Sequence, residues 1–330
     1  MTSFRALVLN QTNGDLRADM RQLSDEDLPD GDVTVAVAYS SLNYKDGLIL
    51  NGLGGLVKTY PHIPGIDYAG TVLHSADTRF SAGDRVVGTG FRVGEIHSGG
   101  YAGRVRVSGD WLVHLPDNLA LHHAMGLGSA GLTAAIALHT LEEHGLQPDR
   151  GKVLITGASG GVGSVAVVLL SHMGYDVVAS TGRPENVDYL RSLGASEVLP
   201  RTALDEPSDK PLESARWSAC IDSVGGVTLA RVLAQIEPGG SVTAIGLAGG
   251  AALPTTVIPF ILRGINLLGI DSVFYPNERR RAAWEHLGRA IPTSAIDAIT
   301  RHVDLADVVP LGKEILAGHV RGRIVVDIEP

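Results

Sequence analysis

Hydrophobic positions in the first 120 residues recur at short range between turn residues, which predicts strands at 5–9, 32–40, 69–73, 85–88, 101–107 and 111–114. Asn13-Gly14, Pro29-Asp30-Gly31, Pro64-Gly65 and Ala82-Gly83-Asp84 punctuate them. After Leu115-Pro116 the texture becomes helical, over 120–128 and 133–143. From Lys152 it alternates: strand 153–156, helix 162–173, strand 176–180, helix 185–193, strands 197–199 and 218–222, helix 228–236, strands 241–245 and 266–270. Strands spaced by helices in this way predict a parallel sheet with right-handed crossovers. A charged amphipathic helix at 277–290 and a last strand at 323–328 follow, and that strand is expected to rejoin the N-terminal β module.

The expected organisation is an α/β chain: a β-rich domain made of 1–121 plus 272–330, and a doubly wound domain over 122–271. With 41 glycines in 330 residues, tight turns are frequent. The charge is 27 basic against 36 acidic residues, a net −9, which argues against whole-molecule attraction to nucleic acid or an anionic membrane. Any anionic ligand has to be met by local groups. A single cysteine, Cys220, excludes an internal disulfide and any multi-thiolate zinc cluster. The opening residues lack a basic, then apolar leader, and a cytoplasmic location is expected.

The strongest chemical signal is the run Val153-Leu-Ile-Thr-Gly157-Ala-Ser159-Gly160-Gly161-Val162-Gly163. A buried strand enters a glycine turn and a helix begins at once, so free backbone N–H groups and the positive helix end face any phosphate placed there. Ser159 stands where the usual G-x-G-x-x-G has its second glycine. A pyrophosphate is expected on Ser159, Gly160, Gly161 and Val162. The second strand ends in Ser180-Thr181-Gly182-Arg183, with no carboxylate before Glu185 to hold a ribose 2′-OH. Hydroxyls and a guanidinium suit a 2′-phosphate, so NADPH is the expected cofactor, with Arg201 as a second cation.

Three stretches together, Leu42-Asn43-Tyr44-Lys45-Asp46, Pro64-Gly65-Ile66-Asp67-Tyr68-Ala69-Gly70 and the Gly157 to Gly163 turn with Ser180 to Arg183, resemble the medium-chain dehydrogenase/reductase superfamily, zinc-independent quinone-oxidoreductase branch. Within it, the Asn-Tyr-Lys-Asp and Ser-Thr-Gly-Arg runs, Leu199-Pro200-Arg201 and Gly269-Ile-Asp-Ser272 resemble the NADPH-dependent acrylyl-CoA reductases. The resemblance implies a Rossmann domain nested in a GroES-like substrate domain, with the nicotinamide in the cleft between them. It places Tyr44, the Ser159 turn, Thr181, Gly182, Arg183, Arg201, Leu247, Ile261 and Ser272 on NADPH, with Gly318 nearby. It also implies a homodimer built on the strand near 266–270. Catalytic-zinc relatives need a cysteine or histidine set that this stretch does not offer, so no metal is expected.

Reduction of a 2-enoyl thioester needs hydride at Cβ, a proton at Cα and a donor for charge growing on the carbonyl oxygen. Tyr44 is the first candidate donor, with Asn43, Lys45 or Asp46 relaying the proton. Tyr60 competes, because Thr59-Tyr60-Pro61 resembles the place where related enoyl-thioester reductases carry their tyrosine. His122-His123 reads as a helix-start surface pair, and Cys220 as core. Arg279, Arg280 and Arg281, with Arg92, Arg104 and Arg106, either meet coenzyme A phosphates or are solvated. The expected activity is NADPH-dependent reduction of a small acyl-CoA, acrylyl-CoA to propionyl-CoA. A quinone or enone reductase and a non-catalytic NADPH-binding protein are the alternatives.

Overall fold

Two adjacent left-handed residues, Asn13 at φ 53° and Gly14 at φ 90°, close a two-residue hairpin between β1 (Phe4–Thr12) and β2 (Asp15–Leu23). The hydrophobic pattern announced the turn but not β2, whose side chains lie mostly in solvent. The computed structural model describes residues 3–328. By its contacts the chain forms two units, Met1–Ser129 with Ser272–Pro330, and Ala130–Asp271.

In the first unit, β3 (Val33–Leu42) leads through Asn43 into the short helix α1 (Tyr44–Leu50). Strands β4 (Asp67–Ser75), β5 (Arg85–Thr89), β6 (Arg104–Val107) and β7 (Leu112–His114) follow, β4 and β6 pairing antiparallel with β3. Alternate residues Val33, Val35 and Val37 are buried with Val72, Val86 and Val105, and each such side chain contributes about 1.5–3 kcal/mol on leaving water.

The next helix, α2 (Leu121–Glu143), joins the two expected helices into one run with a sharp break at Gly128, φ 54° and ψ −153°. It is long and apolar enough to cross a membrane, yet 83% of the relevant window is buried inside the protein, as a core helix is. The units divide after Ser129, later than the expected residue 121, because side chains of the first unit grip the opening turns of α2: Arg323 Nε donates to Gly126 O at 3.0 Å and Asp67 accepts from Ser129 N at 2.8 Å. A Cβ on Gly128 would lie 2.5 Å from Asp67 Oδ2 and 2.7 Å from Arg323 Nη2. Gly128→Ala is therefore expected to cost about 2–4 kcal/mol from backbone strain and overpacking, read from the urea midpoint.

The second unit runs β8 (Lys152–Ile155), α3 (Gly161–His172), β9 (Asp176–Thr181), α4 (Val187–Ser192), β10 (Glu197–Pro200), β11 (Trp217–Asp222), α5 (Gly226–Gln235), β12 (Ile236–Ala244), α6 (Ile258–Arg263) and β13 (Asn266–Gly269). Its six strands are all parallel in the order β10-β9-β8-β11-β12-β13, the Rossmann arrangement, with the switch point between β8 and β11. Leu154, Val178, Cys220 and Val242 fill the sheet's core. Burial pushes the Cys220 thiol well up, in keeping with an inert core position.

The tail returns to the first unit as α7 (Asn277–Ala290), α8 (Thr293–Ile299), β14 (Thr300–Asp304), α9 (Val308–Leu316) and β15 (Arg323–Asp327). β15 pairs antiparallel with β3, as its sequence position suggested, and β14 adds in parallel to complete a seven-stranded sheet.

Candidate active site

The nucleotide end is built in the second unit. β8 runs out through Thr156 into Gly157 at φ +60°, and α3 starts with Gly160 as its N-cap and Gly161 and Val162 as its first residues. A Cβ on Gly163 would fall on Gly157 O and 2.6 Å from Ala158 Cα, so a side chain there would force the helix off the turn. Thr156 Oγ1 donates to the buried Asp222 at 2.6 Å and Asp222 accepts from Gly225 N at 2.7 Å, tying together the ends of β8 and β11. Burial raises the Asp222 carboxyl.

Beside the turn, Ser159 Oγ lies 3.1 Å from Thr181 Oγ1 and accepts from Arg183 Nη2 at 3.2 Å, while Arg183 N donates to Thr181 Oγ1 at 3.2 Å. A Cβ on Gly182 would lie 2.9 Å from Arg201 Cζ, so the Arg201 guanidinium rests on this glycine. Ser180 is buried at the end of β9, and its carbonyl accepts from Ala158 N at 3.0 Å. Residues expected on the 2′-phosphate thus come together as hydroxyls and guanidiniums, with no carboxylate at the end of β9. Leu247, after β12, and Ile261, on α6, are 65% and 72% exposed, available to the rest of a dinucleotide. The donor set, the glycine cradle and the helix start fit a phosphorylated dinucleotide. Arg183→Ala is expected to weaken NADPH about 10- to 100-fold, one or two charge-assisted bonds, and to leave NADH nearly unchanged in fluorescence titrations. Equal loss with both would reject this role.

The other candidates lie in the first unit. Asn43 caps α1, its N–H donating to Asp46 Oδ2 at 2.9 Å, and Tyr44 is the first helical residue. Tyr44 is half exposed and its hydroxyl has no partner among the described residues. Asp46, expected to relay a proton, is fully buried: Oδ1 accepts from Ile66 N at 3.0 Å and Oδ2 from Asn43. Its carboxyl is pushed up to about 7, mainly by burial and then by neighbouring Asp67. Asp46 therefore fixes the helix start and has no face toward a ligand. Asn43 is similarly committed, its Nδ2 donating to Asp67 Oδ2 at 2.9 Å and its Oδ1 accepting from Arg323 at 3.0 Å.

Asp67 and Arg323, which sequence reasoning missed as site residues, form the centre of this network. Asp67 accepts from Ser41 Oγ at 2.7 Å and Ser129 Oγ at 2.5 Å besides Asn43 and Ser129 N. Its carboxylate is spent on these donors. In the stretch where zinc relatives carry their ligands, the side chains present bond to one another and supply no three-ligand nitrogen or sulfur set. Among the described residues the group able to approach a metal is His122, His123 and Asp297, with ligand atoms within 4.8 Å of one another. His123 bonds Asp297 at 3.2 Å, and burial, then neighbouring His123 and His302, lower His122.

Tyr60 is half-buried against the first unit's core, before the cis Tyr60–Pro61 bond. Ser272 gives its carbonyl to Arg280 at 3.1 Å. Gly318, at φ +75°, ends α9, which packs on α1: a Cβ on Gly47 would lie 2.7 Å from Ile315 Cγ2. Arg280, one of the arginines considered for coenzyme A, is buried and occupied with the carbonyls of Thr89, Ser272, Val273 and Tyr275. That removes it from the phosphate candidates.

Sheet order and glycine turn define a Rossmann nucleotide-binding unit carried by a β-rich partner. Residues 29–117 match the alcohol dehydrogenase GroES-like domain and 161–289 the zinc-binding dehydrogenase family. The chain is 55% identical over 327 residues to the acrylyl-CoA reductase AcuI of Ruegeria pomeroyi, covering 98% of this chain and 99% of the relative. Among solved structures, the yhdH oxidoreductase of Salmonella enterica in complex with NADP superposes with a TM-score of 0.96 at 49% identity, covering 98% and 100% of the two chains. Bacillus subtilis yhfP with NAD bound gives 0.95 at 46% identity, covering 99% and 100%. The chain belongs to the zinc-independent medium-chain dehydrogenases/reductases, in the branch of the quinone oxidoreductases and acrylyl-CoA reductases. It is an oxidoreductase.

Proposed function

We propose that this protein uses NADPH to reduce the α,β double bond of a short 2-enoyl-CoA, with acrylyl-CoA giving propionyl-CoA. Likeness to the Ruegeria acrylyl-CoA reductase over nearly the whole of both chains carries the reading. The cluster of Ser159, Thr181, Arg183 and Arg201, with no carboxylate at the end of β9, supports NADPH, as does the NADP complex of the Salmonella relative. The NAD complex of the Bacillus relative shows that the fold also takes the unphosphorylated cofactor.

Held by Ser159 to Val162 and by Thr181, Arg183 and Arg201, NADPH would supply the hydride for Cβ. The chain holds the dinucleotide through the α3 start and the guanidiniums beside Thr181. Tyr44 aims its free hydroxyl at the thioester oxygen, where negative charge grows as Cβ is reduced, and such a donor is worth about 3 kcal/mol. Asn43, Asp46 and Arg323 fix the helix that carries it. A proton taken from water at Cα completes the saturated thioester.

Initial rates with NADPH against acrylyl-CoA, crotonyl-CoA and a simple quinone test this. Preferred consumption of acrylyl-CoA is expected. Quinone turnover alone would replace the substrate, and no turnover with NADPH bound would make the protein a binding protein.

A further inference from the structure

Resting on the enoyl-CoA reading, we propose that Lys45 and Arg92, held in place by Glu95, bind a phosphate group of the substrate's coenzyme A moiety and so select a CoA thioester over an uncharged acceptor.

Glu95 is buried, and its carboxylate meets two cations: Oε1 accepts from Lys45 Nζ at 2.8 Å and Oε2 from Arg92 Nε at 3.2 Å. Two positive charges against one negative leave the group at +1 in a chain whose net charge is −9. Both Nη groups of Arg92 and the remaining protons of Lys45 have no protein partner among the described residues, and the two side chains are 38% and 33% exposed. A guanidinium with its fork unused beside an ammonium matches a phosphate.

The other arginines do not offer this. Arg280 is spent on carbonyls, Arg104 on Asp25 at 2.7 and 2.9 Å, and Arg106 on Thr34 and the Asp25 carbonyl. Arg279 and Arg281 stand in solvent on α7 with no buried group to hold them.

Arg92 is also placed at a cost. Phe91 and Arg92 are left-handed in succession, φ 50° and 60°, a strained conformation that persists where surrounding structure over-determines it. That structure is present. Phe91 N donates to Val273 O at 2.9 Å, and the Arg280 guanidinium sits 4.7 Å from the Phe91 ring centroid while bonding Thr89 O and Oγ1 at 2.9 Å.

Exposed apolar side chains adjoin the anchor in sequence: Tyr44 precedes Lys45, Ile96 follows Glu95, and Phe274 follows the Val273 that holds Phe91. Apolar surface next to an uncompensated cation pair suits a pantetheine arm ending in phosphate. A quinone has no charge for it.

The test compares acrylyl-CoA with the acrylyl thioester of N-acetylcysteamine, which keeps the reacting group and lacks every phosphate. In Arg92→Gln, kcat/KM for the CoA thioester is expected to fall about 10- to 100-fold. The truncated thioester should change less than about threefold, the KM for NADPH should hold, and Arg92→Lys should restore most of the loss. Equal loss on both thioesters, no loss on either, or a raised NADPH KM with unchanged preference would overturn the proposal. Should the native enzyme consume neither thioester, the enoyl-CoA reading itself falls and takes this inference with it.

Discussion

Arg323→Met is expected to destabilise the protein by about 3–5 kcal/mol, because it deletes one member of a buried charge group and leaves the carboxylates uncompensated. Arg323 is 2% exposed, and its guanidinium reaches Asn43 Oδ1, Gly126 O and Met125 O. Asp67 and Asp46 both act on it electrostatically, against the burial that lowers it. Without it, the buried Asp46 carboxyl, already raised by burial and by neighbouring Asp67, is held further toward the protonated form in the folded state than in the unfolded chain. A raised folded pKa adds stability that is present below the unfolded value near 4 and lost as pH rises through the folded value. The deficit of Arg323→Met should therefore be larger at pH 8 than at pH 5 in urea titrations. Arg323→Lys should recover only part of it, since an ammonium cannot span Asn43 and the α2 carbonyls at once. A deficit under 1 kcal/mol, or one independent of pH, would show that the network is not coupled as its hydrogen bonds indicate.

What the sequence revealed follows from how local each feature is. The run from Val153 to Gly163 carries its meaning within eleven residues: an apolar strand, glycines where a Cβ has no room, and a helix that starts at once. The end of β9 is legible for the same reason. Asn43-Tyr44-Lys45-Asp46 is conspicuous as chemistry, yet in the fold it is first a helix cap, Asn43 and Asp46 closing a capping box. β2 was also within reach, since Leu16, Ala18 and Met20 alternate after the Asn13-Gly14 turn. By contrast, Arg323 lies 280 positions from Asn43, and nothing near it in the chain marks the contact. Arg280 reads as one of three arginines that either meet coenzyme A phosphates or are solvated, because its partners are backbone carbonyls on other segments, which no side-chain pattern records. Glu95 was passed over likewise, its two cations being defined only by the fold around residues 90 to 96.

Tyr44→Phe is expected to lower kcat about 100-fold, the worth of one donor aimed at a developing oxyanion, with the NADPH dissociation constant unchanged. The structure distinguishes the two candidate tyrosines by their surroundings. Tyr44 is 51% exposed at the first position of a helix whose start is fixed by Asp46, Asn43 and, through Asn43, Arg323, so its backbone is rigid while its hydroxyl is free. Tyr60 is partly buried and packs against the first unit's core, as a side chain does when its body is structural. Tyr60→Phe keeps that body and should change kcat by less than about threefold. A tyrosine that orients the cofactor instead would, on conversion to phenylalanine, raise the NADPH dissociation constant together with the loss in kcat. Equilibrium titration of NADPH alongside single-turnover hydride transfer separates these cases for each variant. Loss of the chemical step in Tyr60→Phe with Tyr44→Phe intact would move the donor to the loop before Pro61 and leave Tyr44 as an exposed aromatic at the substrate's apolar arm.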